Sequence, residues 1–362
     1  MKTKHTPASF LVPRAIGRSE GDMIAHGHGE QLELFRETLT RPAKLQLIAM
    51  MGLSEPKRLD RSQYAKVADI LRAMGYAPDI RPDGKTAFPT WMYETVEETG
   101  LKLRQKSFPM FIREPAGHMK DGRRKWKIGL VDLSILQDFG FYYEDEEGQP
   151  INLNEIPEAQ LIKYEAVKGK ALFAIPMVDK HGNVIKNKDG KPRRRMANGV
   201  TWTFTSRIAK LAEDRQTAWV FYADAVAILR RYLPKPASFD LILKTLFWTG
   251  SGQIEMSHDK LVAHLGIKTK DSRQAEAAIK AAFDDALKEG IIDRPVTVRP
   301  AGYYQPSEKT GKPRRKDMVY QWKRSAKWQP ARNLIAVSED SLEANIEGQT
   351  EGSEDGKTDK GL

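Results

Sequence analysis

Two identical pentapeptides, Gly190-Lys-Pro-Arg-Arg194 and Gly311-Lys-Pro-Arg-Arg315, and a looser relative, Gly122-Arg-Arg-Lys-Trp126, set clustered cations between a turn and an extended run that holds a tryptophan or tyrosine. Cations at hairpin tips suit contacts to phosphate, or insertion into a minor groove, without base specificity. One such tip is by default a solvated loop, but three on a cationic chain favour a nucleic acid. The groups concerned are Arg123, Arg124 and Lys125, then Lys191, Arg193, Arg194 and Arg195, then Lys312, Arg314, Arg315 and Lys316. A different chemistry is available from Lys268 to Lys280. Arg273 can pair with a guanine edge and the Ala277 methyl can meet a thymine methyl. Gln274 and Lys280 stand beside them, and Lys268 and Lys270 are placed to sit over phosphates.

Covalent chemistry finds no comparable constellation. The chain has no cysteine, which removes thiol nucleophiles, disulfides and cysteine-ligated zinc. Gly84-Lys-Thr86 ends like a phosphate-binding loop, but the position five residues before Gly84, where such a loop needs glycine, is Asp79. His26-Gly-His28 resembles the paired metal histidines of DNA-nicking relaxases, yet it encloses a glycine in place of a bulky apolar residue, and Tyr303-Tyr304 falls before a basic loop rather than on a helix. No catalytic residue, metal ligand or cofactor is expected, and the chain reads as a non-enzyme.

The cations around Arg273 must be held by the stretch Phe239 to Trp328. Leu241 to Trp248 reads as an apolar helix ending at Gly250, followed by the extended run Gln253 to Met256. Ser257 suits the N-cap of a second helix, which buries Leu261, Val262 and Leu265 and stops at Gly266. Asp271 can cap a third helix, with Gln274 placed to reach back as in a capping box. Ala275, Ala278, Ile279, Ala282, Phe283, Ala286 and Leu287 give that helix one apolar face. Val296 and Val298, then Met318, Tyr320 and Trp322, alternate on either side of the basic loop Ser307 to Lys316, which predicts a hairpin. Helix, turn, helix and basic wing in that order predict a winged helix whose third helix enters the major groove.

A similar order of elements is expected from Arg41 to Leu136. Ala43 to Met51 and Ser62 to Met74 read as helices ending at Gly52 and Gly75, and Trp91 to Lys102 as a third. Phe108 to Ile112, the turn Lys120 to Lys125 and Trp126 to Val131 then look like strand, wing, strand. The presumed reading helix carries Glu94, Glu97 and Glu98. Carboxylates set against phosphates oppose binding, so pairing of copies or backbone contact is expected here instead of base reading. Residues 137–234 form a middle region. Ala159 to Val167 is compatible with a helix, Ala171 to Ile175 and Val200 to Phe204 read as strands around the basic hairpin His181 to Arg195, and Trp219 to Tyr232 reads as a linking helix.

A net charge of +11 over 362 residues favours a polyanionic partner. It is unevenly spread. From Val337 onward eight carboxylates face two lysines, a net of −6, which leaves +17 on the rest. The start leads into no long apolar run and no stretch approaches the ~18 apolar residues of a membrane span, so a cytoplasmic protein is expected. The expected fold class is α+β: two winged-helix domains (41–136 and 235–328), an inserted region containing a β-hairpin, and disordered termini (1–40 and the acidic 329–362).

Within the polar first forty residues, Gln31-Leu-Glu-Leu-Phe35 resembles the peptide by which bacterial replication proteins grip the polymerase sliding clamp. Gln31 takes the place of the glutamine at the pocket rim, and Leu32, Leu34 and Phe35 that of the apolar anchors. The chain as a whole resembles plasmid replication initiators built from two winged helices, most of all the TrfA-like group, over Arg41 to Leu136 and Arg230 to Arg324. The passages that carry this are Leu71-Arg-Ala-Met-Gly75 and Arg273 to Ile292, together with the clamp-like peptide. The resemblance implies a protein that binds repeated duplex sites at an origin, promotes opening, and recruits host helicase and polymerase, with homodimers possible. A self-regulating winged-helix transcriptional regulator is the alternative.

Overall fold

Apolar side chains cluster even in the glycine-rich start of the chain. The computed structural model describes residues 8–17, 38–80, 82, 86–118, 124–144, 150–152, 174–176, 186, 190, 194–196, 199–214, 218–248, 253–269, 271–300 and 318–328. Strand β1 (Ser9–Pro13) and the 3-10 turn Arg14–Gly17 bury Val12 and Ile16 completely. The expectation of one flexible segment up to residue 40 therefore fails at 9–17. Phe10, Val12 and Ile16 are too few for a core of their own, and pairing with distant chain buries Val12 and Ile16 fully and Phe10 in part.

Helix α1 (Arg41–Leu53) is capped by Thr40 and buries every residue from Ala43 to Leu53. A helix buried on all sides belongs at the centre of a core; Lys44 and Gln46 are its buried polar residues, and Gln46 donates to the Val96 carbonyl at 2.8 Å. Strand β2 (Gln63–Lys66) and helix α2 (Val67–Ala73) follow. The expected single helix from Ser62 is thus a strand and then a helix, because Gln63 and Ala65 alternate inward against a distant partner. A small ribbon, β3 (Asp79–Ile80) and β4 (Thr86–Ala87), precedes helix α3 (Thr90–Gln105).

The expected strands on either side of the 120–125 turn are present after α3, but their pairing sets them apart from the sheet of the first set. Strands β5 (Ser107–His118) and β6 (Arg124–Ser134) form a long hairpin that pairs only with itself among the described residues. The partner of β2 comes much later. Strand β7 (Leu136–Glu144) pairs with β8 (Pro150–Asn152) and with β11 (Gly199–Phe204), and β11 pairs with β2, giving the order β2-β11-β7-β8. Between them β9 (Ala174–Pro176) pairs with β10 (Arg194–Met196). Strands β7 and β11 fall in the segment read as a separate middle region, yet they complete the sheet that β2 begins. Trp202 and Phe204 of β11 and Phe139 of β7 are almost wholly buried.

Helix α4 (Ser206–Glu213) leads to strand β12 (Ala218–Tyr222), which pairs antiparallel with β1, and to helix α5 (Ala223–Arg231). The helix expected from Trp219 accordingly starts only after four more residues of strand. Helix α6 (Pro236–Leu246), strand β13 (Gln253–Ser257), helix α7 (His258–His264), helix α8 (Ser272–Lys288) and strands β14 (Thr297–Pro300) and β15 (Met318–Lys323) complete the chain. Their sheet has the order β13-β15-β14. The chain is a mixed helix and sheet protein in which one succession occurs twice. α1, β2, α2, α3, β7, β11 and α6, β13, α7, α8, β14, β15 share element order and sheet order. The first set carries additions, the β3–β4 ribbon, the β5–β6 hairpin and, between β7 and β11, strand β8 and the β9–β10 ribbon.

The β1–β12 ribbon joins the two sets. Phe221 lies 5.2 Å from Phe247 and 6.2 Å from Phe10, ring to ring. Trp219 donates to the Leu246 carbonyl at 2.7 Å and lies between the guanidinium groups of Arg14 and Arg324. Buried Arg324 donates to the carbonyls of Leu246 and Trp248 at the end of α6, satisfying acceptors that a helix C-terminus leaves open. Arg41 pairs with buried Asp240 at 2.5 Å, tying α1 to α6.

Candidate nucleic-acid interface

The outward side of α8 is set by what its inward side must do. Ala275, Ile279, Ala282, Phe283 and Ala286 are buried, with Phe283 against Tyr320 and edge-on to Trp322 of β15. Small residues on this line let α8 pack close to α6. The C-terminal half is fixed from the side: Asp285 accepts from Lys235 at 3.1 Å and from Ser238 at 2.7 Å, and Glu289 accepts from Arg231 and Tyr232. With roll and tilt so constrained, Arg273, Gln274, Ala277 and Lys280 all stand exposed. Glu276, Ala281 and Asp284 share the exposed side.

The N-terminus of α8 is capped as expected by Asp271, which accepts from the Arg273 N–H at 2.8 Å. The capping box is corrected. Gln274 accepts from the Thr269 hydroxyl at 2.9 Å, and that same hydroxyl accepts from the Asp271 N–H at 3.1 Å. Thr269 is two residues from Asp271 and reaches its N–H within a local turn, which leaves Gln274 bonded to the turn and not to the cap. Ser257 takes the N-cap position of α7 without a side-chain cap bond. Gly266 closes α7 at φ 62°, and Lys268 is exposed in the turn that follows.

Strand β14 flanks α8, beside an open cleft of about 290 Å³ lined by Glu276, Lys280, Phe283, Asp284, Val296 and Val298 among others. Arg299 is committed to Glu255 across the sheet at 3.0 Å, and the Glu255 carboxyl is held below its ordinary range by hydrogen bonds from Gln321 and Arg299. Lys312, Arg314, Arg315 and Lys316 of the expected wing lie outside the described residues, as do Lys270, Arg123, Lys191 and Arg193. Arg124 and Lys125 fall on β6 and Arg194 and Arg195 on β10, where only the backbone is described. Gln31, Leu32, Leu34 and Phe35, the two histidines at 26 and 28, Tyr303, Tyr304, the helix-compatible 159–167 and the acidic tail also lie outside.

Helix α3 holds the place in the first set that α8 holds in the second, and it carries different chemistry. Its second residue, Trp91, is 57% exposed where α8 has Arg273. The expectation that Glu94, Glu97 and Glu98 all face outward is corrected. Glu97 is buried, and burial first, then the nearby Glu94 and Glu98, raise its pKa from 4.5 to about 7. Only Glu98 is fully exposed, and Glu94 is half-buried.

No family model matches this chain, and no curated protein matches it. Solved structures do. The chain is similar to the Pi initiator protein in complex with iteron DNA, with 12% identity, a TM-score of 0.44, and 89% of this chain and 99% of that one covered. It is also similar to domains 2 and 3 of RctB, with 11% identity, a TM-score of 0.39, and 80% and 84% of the two chains covered. Among the described residues no helix is long and apolar enough to cross a membrane, and no cluster of three or more histidine, aspartate or glutamate side chains is arranged to hold a metal.

Proposed function

We propose that α6 to β15 is a winged helix that reads duplex DNA through α8, and that the protein is a plasmid replication initiator acting at repeated sites. The exposed stripe Arg273, Ala277 and Lys280 on a helix with a buried opposite face carries this reading. Such a stripe offers a bidentate donor, a methyl and a second cation to major-groove edges. The first set of elements is also a winged helix by its order. Its α3 serves pairing of copies or backbone contact, because Trp91 and Glu98 replace the cations a base reader needs. The initiator role, with opening of the duplex and recruitment of the host helicase, follows from the sequence resemblance, and the protein works without catalytic groups of its own. Binding to direct repeats of about twenty base pairs supports it; selection of a single palindrome supports the regulator instead.

Two kinds of substitution should separate. Arg273→Ala should cost about 1–3 kcal/mol of discrimination at one base pair and little on random duplex. Arg314→Ala with Arg315→Ala should weaken all sequences alike and flatten the dependence of log K on log salt by roughly one unit or more. Anisotropy titrations at several salt concentrations distinguish the two; equal losses on selected and random duplex for Arg273→Ala remove it from base reading.

The peptide Gln31 to Phe35 is proposed to dock on the bacterial sliding clamp. A short segment ordered on binding concentrates its affinity in one or two anchors, so Leu34→Ala with Phe35→Ala should abolish clamp capture in a pull-down with purified clamp, at unchanged melting temperature and DNA affinity. Earlier melting of the double variant, with no capture by the unaltered protein, identifies these side chains as packing groups.

A further inference from the structure

The exposed side of α8 carries a carboxylate that the proposed reading does not use. Successive helix residues turn by about 100°, so the buried line through Ala275, Ile279, Ala282 and Ala286 lies opposite Ala277 and Asp284. Arg273, Ala277, Lys280 and Asp284 follow at spacings of four, three and four, which makes a nearly straight stripe along the exposed side. From Arg273 to Asp284 this stripe runs for about 16 Å at ~1.5 Å per residue. That length matches roughly five base steps at ~3.4 Å each.

Position across the helix decides what a carboxylate meets in a groove about 12 Å wide. Side chains on the flanks of the helix point at the phosphate walls, whereas those on its centre line point at the floor and its base edges. Asp285 and Glu289 are turned away and occupied by Lys235 and Arg231. Asp284 is exposed near the centre line, at the rim of the cleft that α8 forms with β14. An ionised carboxylate only accepts hydrogen bonds, and the donors on the major-groove floor are the amino groups of cytosine and adenine.

We infer that Asp284 determines specificity by accepting from the exocyclic amino group of a cytosine or adenine, about five base steps from the guanine met by Arg273. This rests on α8 being the groove helix. A base pair that offers only acceptors at that point leaves the carboxylate facing negative charge and is rejected.

Selection of duplexes from a random library by the full chain, by Asp284→Ala and by Asp284→Asn tests the assignment. The unaltered protein should hold one position to cytosine or adenine, at the stated spacing from the pair that Arg273→Ala releases. Asp284→Ala should lose preference at that position alone, bind the selected site about tenfold more weakly, and bind random duplex as before. Asp284→Asn, which donates as well as accepts, should read adenine there. If Asp284→Ala tightens selected and random duplex by the same factor, the carboxylate merely repels phosphate and the inference falls while groove reading stands. Unchanged binding and preference in both variants overturns it equally. If the unaltered protein selects no sequence, groove reading by α8 fails and Asp284 with it.

Discussion

Gly75→Ala should destabilise the protein by roughly 2–5 kcal/mol, and Gly266→Ala by only about 1–2 kcal/mol. The two glycines end corresponding helices, α2 and α7, in the same left-handed cap. Their φ values are 83° and 62°, and each donates back into the last turn, Gly75 to the Arg72 carbonyl at 2.8 Å and Gly266 to the Ala263 carbonyl at 3.0 Å. The conformational penalty of a Cβ is therefore shared. The surroundings differ. A Cβ on Gly75 would come within 2.6 Å of the Ala227 Cα, backbone of α5 that cannot retreat alone, whereas the nearest atom to one on Gly266 is the Arg41 Nη2 at 3.7 Å. Urea unfolding of the two variants in one buffer measures the difference. Equal losses would show that the contact between α2 and α5 yields, and that Gly75 is needed for its φ alone.

Glu97→Gln should stabilise the protein at pH 8 by up to about 3 kcal/mol and change nothing near pH 4. Burial, with Glu94 and Glu98 beside it, raises the Glu97 pKa from 4.5 to about 7. Below pH 4.5 the carboxyl is protonated in folded and unfolded chains alike. Between pH 4.5 and 7 the unfolded chain releases the proton while the folded chain keeps it, so stability falls as pH rises through that window and the loss is complete above it. Glutamine is neutral at every pH and escapes the loss. The difference in unfolding free energy between the two proteins, followed from pH 4 to 8, should grow across the window; a flat difference would mean that the Glu97 carboxyl titrates alike in the folded and unfolded chains.

The second set of elements could be read from the sequence because its helix signals are local, although β13 finds β15 only some seventy residues on. Gly266 stops α7, Asp271 starts α8, and the three-four spacing from Ala275 to Leu287 marks the buried face without help from distant residues. The first set resists because its sheet is closed across more than a hundred residues. Strand β2 reaches β11 only after the β3–β4 ribbon, α3 and the β5–β6 hairpin have passed. Gln63 to Lys66 runs directly into α2, so its four residues read as the first turn of that helix. Phe10 to Pro13 and Trp219 to Tyr222 are each too short to declare a strand, and become one only through each other. In α3 the line Val96, Gly100, Leu103 marks the inward face, and Glu97 sits one residue beside it. Spacing alone leaves such a flank position undecided, and packing of α3 on α1 settles it. Helical spacing alone places Arg273, Ala277 and Lys280 opposite the apolar face, and the structure has all three exposed. Asp284 satisfies the same spacing, but a lone carboxylate on a solvated helix face carries no signal of its own in a sequence.

Reading of base edges in the major groove by α8, as proposed, is tested most directly by methylation of guanine N7. N7 lies on the groove floor and is one of the two acceptors that a bidentate arginine uses. Selected duplex lightly methylated at N7, bound by the full chain and separated into bound and free fractions, should show at least one guanine whose methylation excludes binding. Arg273→Ala should bind duplex methylated at that guanine as well as it binds unmodified duplex. Interference at no guanine in the selected site, or the same interference pattern with and without the Arg273 side chain, would contradict major-groove reading by α8.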